Sequence, residues 1–353
     1  MSLTTEVKYE SALRKLLFTG IIIILSVYVV YEQVSSCIGV GMEIQMERHA
    51  RFIAGDSEFF NPWQYRVFSG FVLEGFIKMF RALPVSLHPY APYVALRFLQ
   101  NFLIFYVAYH FYKALRLKSW FLLLAGIMLL AFNMSNSNWQ ADLAFNTYFD
   151  ILFYLLAGYI VLKAHPAWII PLTAVAVLNR ETSGFIPFML LLTAFDYRPF
   201  RLVRKDRIWY SIAALVVYVF LFAGVRMFYG LRPYGAIHEI DTPVEFFLFN
   251  ISFFNMYPQL IGTLGIVPLV ALVWFRRWPF FLQAIGLLIV PFWILVHLFK
   301  SMAMETRLFL VPQALIFIPA FLCLIEHELK KLYSDPLSDS SGSRTQKEKH
   351  PHL

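Results

Sequence analysis

The sequence predicts an all-α, polytopic transmembrane bundle of about ten apolar helices. One short broken pair is among them, and an amphipathic helix lies along the membrane in the first outer loop. Three observations carry this. Of 353 residues, 59% are hydrophobic and only 15% charged, whereas soluble domains run near 25% charged. Apolar runs of about twenty residues recur, the length that crosses a hydrocarbon core. Lys and Arg fall in short clusters between those runs, as the positive-inside rule places them. The formal charge of +8 therefore reports membrane topology, and no nucleic-acid partner is expected. Cys37 and Cys323 stand near opposite ends of the chain and suggest neither a disulfide framework nor a metal site.

The first span runs roughly from Leu13 to Ser36. Lys8, Arg14 and Lys15 precede it, which puts the N-terminus in the cytoplasm. "VSSC" before Cys37 is similar to a lipoprotein cleavage site, but the apolar run is long enough to remain as an anchor. An outer stretch follows, containing "GDSEFFNPWQYR" from Gly55 to Arg66. Over Val67–Phe80, Phe68, Phe71, Val72, Gly75, Phe76 and Met79 recur at helical spacing, with Glu74 and Lys78 elsewhere on the wheel. This pattern reads as an interfacial amphipathic helix. Prolines 84, 89 and 92 end it. Further spans are read over Tyr90–Tyr112, Ser119–Asn133 and Phe149–Lys163.

The next apolar stretch is interrupted by "NRETSG". A single crossing would put Arg198, Arg201, Arg204, Lys205 and Arg207 outside, against the charge rule. Two short helices meeting at Asn179–Gly184 return the chain to the cytoplasm instead, with the tip inside the protein, where broken helices are tolerated if they line a cavity. Spans then follow over Arg207–Tyr229, Pro258–Phe275, Trp278–Phe299 and Arg307–Glu326. Residues 1–326 thus form one transmembrane domain, and the polar stretch 327–353 is read as a disordered cytoplasmic tail.

This topology gathers costly residues on the outer side: Asp56, Glu58, Asp142, Asp150, Glu181, Asp241, Glu245 and Glu305, with Arg66, Arg180, Arg226, Arg232 and Arg307. A charge at mid-membrane depth costs about 2.5–3.5 kcal/mol on insertion scales, so such groups pair and face a cavity. Adjacent residues on a helix point apart, so Arg180 and Glu181 are expected to find partners on other segments. Arg97 and Asn101, one turn apart, are expected to bond between helices. His110, His165, His238 and His297 show no metal-ligand spacing. Asp56 and Glu58 form a D-x-E pair in the first outer loop. Two such carboxylates can share a proton, hold a divalent cation such as Mg²⁺ or Mn²⁺, or act as a general base.

The D-x-E pair, the interfacial helix after it, and "ETRLFLVP" at Glu305–Pro312 together resemble the GT-C superfamily of polytopic, polyprenyl-phosphate-sugar-dependent glycosyltransferases. The resemblance covers the topology of nearly the whole chain. No soluble C-terminal domain of the kind many members carry is expected in this sequence, and Asp142 could stand in for a second acidic loop motif. The resemblance implies sugar transfer from a polyprenyl-phosphate donor to a lipid, glycan or protein acceptor on the outer face. Asp56 is then the first candidate base and Glu58 the second. Arg307, Arg180 and Arg232 are candidates to hold the leaving phosphate, and Arg66, Glu181 and Glu305 complete the substrate-binding set. Membrane lipid and the polyprenyl-phosphate sugar are the implied partners, and the oligomeric state is left open. Three alternatives stay open: another lipid-linked-glycan enzyme, a transporter or flippase, and a non-catalytic scaffold.

Overall fold

A computed structural model describes residues 3–56, 63–137, 143–163, 165–197, 200–230 and 242–334. Among the described residues the chain is all-α apart from one short hairpin, Phe195–Tyr197 against Phe200–Leu202. Helix α1 spans Leu3–Ser35, α2 Val40–Ala54, α3 Val67–Arg81, α4 Ala91–Ala114, α5 Trp120–Ser135 and α6 Phe145–Lys163. Then come α7 (Ile169–Val177), α8 (Phe185–Leu192), α9 (Lys205–Tyr229), α10 (Pro243–Ser252), α11 (Met256–Leu264), α12 (Val267–Val273) and α13 (Phe280–Lys300). Last, α14 (Leu310–Pro312) runs through a π-turn into α15 (Ile318–Ser334).

Six helices among the described residues are long and apolar enough to cross a membrane, or seven if the bent pair α11–α12 counts as one span. Three further apolar helices are shorter. The chain is a multi-pass membrane protein, with fewer full-length spans than the ten apolar elements expected. The span from Thr306 to Leu332 and α6 are the most enclosed, 83% and 78% buried over their apolar windows, while α9 is 11% buried and forms the outer wall.

Helices α4 and α6 pack in the same direction. Arg97 lies over Phe145 and Tyr148 near their starts, and Phe111 meets Gly158 near their ends. A Cβ on Gly158 would stand 2.7 Å from the Phe111 ring, so glycine permits this close approach. The bundle therefore has two ends. One collects the C-termini of α4, α6 and α15 and the start of α9 and is rich in Arg and Lys. The other collects the start of α4 and α6, together with α2, α3 and the end of α9.

Polar groups inside the bundle bond between helices, as hydrocarbon demands. Asn101 donates to Gln33 of α1, and Gln33 donates to Tyr148 at 2.6 Å. The π-turn at Gln313–Phe317 shifts the carbonyl ladder, and Tyr112 donates to Ala314 O at 2.9 Å. At the 77° bend between α11 and α12, Gln313 donates to Leu264 O at 3.1 Å. Gly265 makes that bend with φ +65°, a conformation that favours glycine.

The helix expected after the first outer loop forms as α3, but its inner face differs from the one expected. The ridge Ser69, Leu73, Ile77 is buried and packs on α4, while Phe71 and Met79 point outward. In a membrane protein the large apolar side chains can face lipid, so hydrophobicity alone does not identify the buried face. Helix α2 lies in the stretch read as outer loop. Helix α15 continues to Ser334, into the stretch read as tail; 335–353 lie outside the described residues.

Candidate functional site

The broken pair is α7 and α8, joined by a 3-10 turn at Glu181–Gly184. Its tip is fastened to the start of α6 and α3. Asn179 Nδ2 donates to Asn146 O at 2.8 Å, and Phe68 N donates to Leu178 O at 2.9 Å. Gly184 is needed here because the Tyr218 ring presses on it, 2.9 Å from where a Cβ would stand. The Tyr218 hydroxyl donates to Glu181 O at 2.8 Å.

From this tip Arg180 and Glu181 diverge, as neighbours should. Arg180, 5% exposed, turns inward. Its Nη1 lies 3.7 Å from Asp150 Oδ2 of α6, and its Nη2 lies 3.2 Å from His297 Nε2 of α13. His297 Nδ1 faces Trp293 O at 2.8 Å. A carbonyl only accepts, so Nδ1 carries the proton and Nε2 accepts from Arg180. Trp293 stacks on the imidazole with centroids 5.0 Å apart, which fixes its plane. Asp150 is fully buried; Thr182 Oγ1 donates to its Oδ2 at 2.8 Å.

Glu181 turns the other way, toward α3 and α9. Arg66 Nη2 donates to its Oε2 at 3.4 Å, and Arg226 Nη2 lies 3.7 Å from its Oε1. Arg226 also sits over the rings of Phe222 and Tyr65, at 3.5 and 4.6 Å. Tyr65 donates in turn to Gly230 O at 2.8 Å. Arg307, buried at the start of the last span, donates to Glu305 Oε2 at 2.9 Å. Arg66 and Arg307 both lie close enough for their charges to act on Arg180. Four guanidiniums and three carboxylates, from five segments of the chain, thus gather at one end of the bundle.

Several buried polar atoms here have no protein hydrogen-bond partner: Arg66 Nε, Arg180 Nε, Asp150 Oδ1, Asn146 Nδ2 and Asn179 Oδ1. A small cavity of about 50 Å³ between α2, α3 and the start of α6 is lined by Gln45, His49, Arg66 and Asn146. Beside the cluster, an apolar groove of about 230 Å³ opens between α3 and α9, lined by Val67, Phe71, Phe220, Gly224 and Phe228. Nothing lies within 4 Å of where a Cβ on Gly224 would stand.

The structure brings Arg66 and Glu181 into direct contact and seats Arg180 within electrostatic reach of Arg66 and of Arg307, which itself pairs with Glu305. Asp56 stands apart from these contacts, at the end of α2. Arg51 Nε donates to its Oδ2 at 2.7 Å, and the carboxylate is 30% exposed. The link toward the cluster is Trp63, whose ring takes Arg48 of α2 at 4.9 Å and Arg66 at 5.3 Å. Glu58, Arg232, Asp142 and Asp241 lie outside the described residues. No group of three His, Cys, Asp or Glu among the described residues could hold a metal ion. Glu58, the other carboxylate of the pair considered for Mg²⁺ or Mn²⁺, lies outside the described residues, so only the Asp56 half of that pair is described.

Sequence reasoning counts Asp150 and Arg226 among the clustered charges but gives neither a place in the candidate site, and it singles out neither Thr182 nor Tyr218. For Asp150 a signal existed: a carboxylate beside the apolar run 151–163 is expensive and calls for a partner. His297 was weighed only as a metal ligand, although its place among apolar residues carried the same message. No family model, curated protein or solved structure matches the chain.

Proposed function

We propose that the chain is an integral membrane glycosyltransferase that moves a sugar from a polyprenyl-phosphate donor to a lipid, glycan or protein acceptor on the extracytoplasmic face. The observation that carries this is the meeting of Arg66, Arg180, Arg226 and Arg307 at one end of the bundle, beside an apolar groove open to the side. Guanidiniums grip phosphate oxygens in pairs, and they do so most strongly where water is excluded. The α3–α9 groove suits a prenyl chain whose phosphate rests on Arg226 and Arg66.

In this reading Asp56 removes the proton from the acceptor hydroxyl. The oxygen attacks the anomeric carbon, the bond from that carbon to the phosphate oxygen breaks, and polyprenyl phosphate leaves. Its charge is taken up by Arg66, Arg180 and Arg307, while Glu181 holds Arg66 and Arg226 in position. Glu58 stands as second base and Arg232 as a further phosphate contact, on sequence grounds alone.

A transporter or flippase of lipid-linked or small polar substrate is the second reading. Its support is the buried Asp150–Arg180 pair at a broken helix, the kind of place where transporters bind substrate. The two readings separate in proteoliposomes given a labelled polyprenyl-phosphate sugar. Transfer predicts release of polyprenyl phosphate on chromatography, reduced about 10²–10⁴-fold by Asp56→Ala, with the protein made at normal levels. Unchanged turnover in that variant would remove Asp56 as the base. Label crossing the bilayer intact, with no polyprenyl phosphate released, would favour transport.

A further inference from the structure

At the end of the bundle opposite the charged cluster, two grooves meet at a single ion pair. Arg277 Nη1 donates to Glu328 Oε1 at 2.7 Å, and both residues line both grooves. On one side is a groove of about 560 Å³ that also includes Arg116, Trp278, Lys330 and Lys331. On the other is a groove of about 500 Å³ lined by Val270, Trp274, Phe321, Leu324, Leu329 and Leu332. The first is basic, the second apolar.

The acids of the basic groove are already occupied. Glu328 accepts from Arg277. Glu326 accepts from Lys330 at 2.9 Å and from the Lys118 backbone N–H. Among the described residues positive charge remains in excess, since Arg116, Arg277 and Lys330 face two carboxylates. Arg116 adds a second, independent observation. It follows the C-cap of α4 with φ +70°, the only non-glycine residue of positive φ among those described. Glycine or asparagine usually fills that position, because a side chain there crowds the following carbonyl. Here arginine holds that strained conformation with its side chain exposed at the basic groove, so this position carries a cation at a backbone geometry that favours glycine.

A polar basic groove joined to an apolar one asks for an amphiphile with an anionic head. Basic pockets between membrane helices take lipid headgroups in this way. We propose that this end of the bundle holds an anionic phospholipid, its phosphate on Arg116 and Arg277 and an acyl chain along Trp274, Phe321, Leu329 and Leu332. The Arg277–Glu328 bridge sits at the junction of head and tail. This site is independent of the sugar-transfer reading and lies at the other end of the molecule.

The test uses the full chain in detergent, with phosphatidylglycerol, phosphatidylcholine and tail-less glycerol phosphate as probes. Thermal midpoint and native mass spectrometry are the readouts. Phosphatidylglycerol is expected to raise the midpoint by several degrees more than phosphatidylcholine and to stay bound in the mass spectrum. Glycerol phosphate is expected to do neither. Arg116→Gly relieves the backbone strain, so it should melt no lower than the parent in phosphatidylcholine while losing the phosphatidylglycerol shift. Arg116→Asn, also tolerant of this φ, should behave likewise, and Leu332→Glu should weaken retention from the apolar side. Equal shifts with the two lipids, or a full shift in both Arg116 variants, would overturn the proposal. A glycerol phosphate shift as large as the lipid's would overturn the lipid assignment in favour of a free anion site.

Discussion

The two ends of the bundle hold their charges differently. At the Arg180 end the partners come from distant segments: Asp150 from α6, His297 from α13, Arg66 from before α3, Arg226 from α9. Arg180 and Asp150 are 5% and 0% exposed. At the opposite end Lys330 and Glu326 are one helical turn apart, and Arg277 and Glu328 are more than half exposed. A buried ion pair is expensive to assemble and expensive to break, while an exposed one is worth about 0–1 kcal/mol. The chain thus spends its costly charges at one end, where removal of a single partner strands the other. Mutations that treat the two ends alike test this contrast.

The largest effect is expected at the buried pair. Arg180→Ala leaves Asp150 without its cation and should cost about 3–5 kcal/mol, read as a lowered thermal midpoint in detergent. Arg180→Met combined with Asp150→Leu removes both charges and should recover most of that loss. If the double variant is as unstable as the single one, the pair is not the unit of stability. A smaller, pH-dependent effect is expected at α3. His49 Nε2 lies 3.0 Å from Glu74 Oε2, and that contact, helped by Lys78, holds the Glu74 carboxyl below its usual 4.5 despite partial burial. A depressed folded value means this stabilisation is present above about pH 4.5 and is lost as the pH falls through the folded value. Glu74→Gln should therefore flatten the acid limb of a melting-versus-pH curve and lower the plateau at neutral pH; an unchanged acid limb would remove Glu74 from the account. The smallest effect is expected at the exposed bridge, where Glu328→Gln should shift stability by less than about 1 kcal/mol in chemical or thermal unfolding.

The same contrast explains what could be read in advance. Segment-level quantities were legible: the apolar runs, the helix α3, and the return of the chain at Asn179–Gly184 all follow from transfer energies, periodicity and charge bias summed over neighbours. The divergence of Arg180 and Glu181 was also legible, because it follows from local helix geometry. Helix α2 was not read, although Met42, Gln45, His49 and Phe52, its buried residues, recur at helical spacing between Gly39 and Gly55. Its mixed polarity made it look like loop, and the glycines with φ +86° and +64° that bound it were the overlooked signal.

By itself, then, the sequence determined that this chain lives in a bilayer as helices, and roughly where it turns, because lipid sets a price on every polar residue and short-range spacing records how that price is met. Only the tertiary structure decided which charge meets which. Arg180 could have paired with any carboxylate at its end of the bundle, and the choice of Asp150 and His297 depends on three segments crossing at one level. That is a property of packing across more than a hundred residues of chain, and no local pattern encodes it.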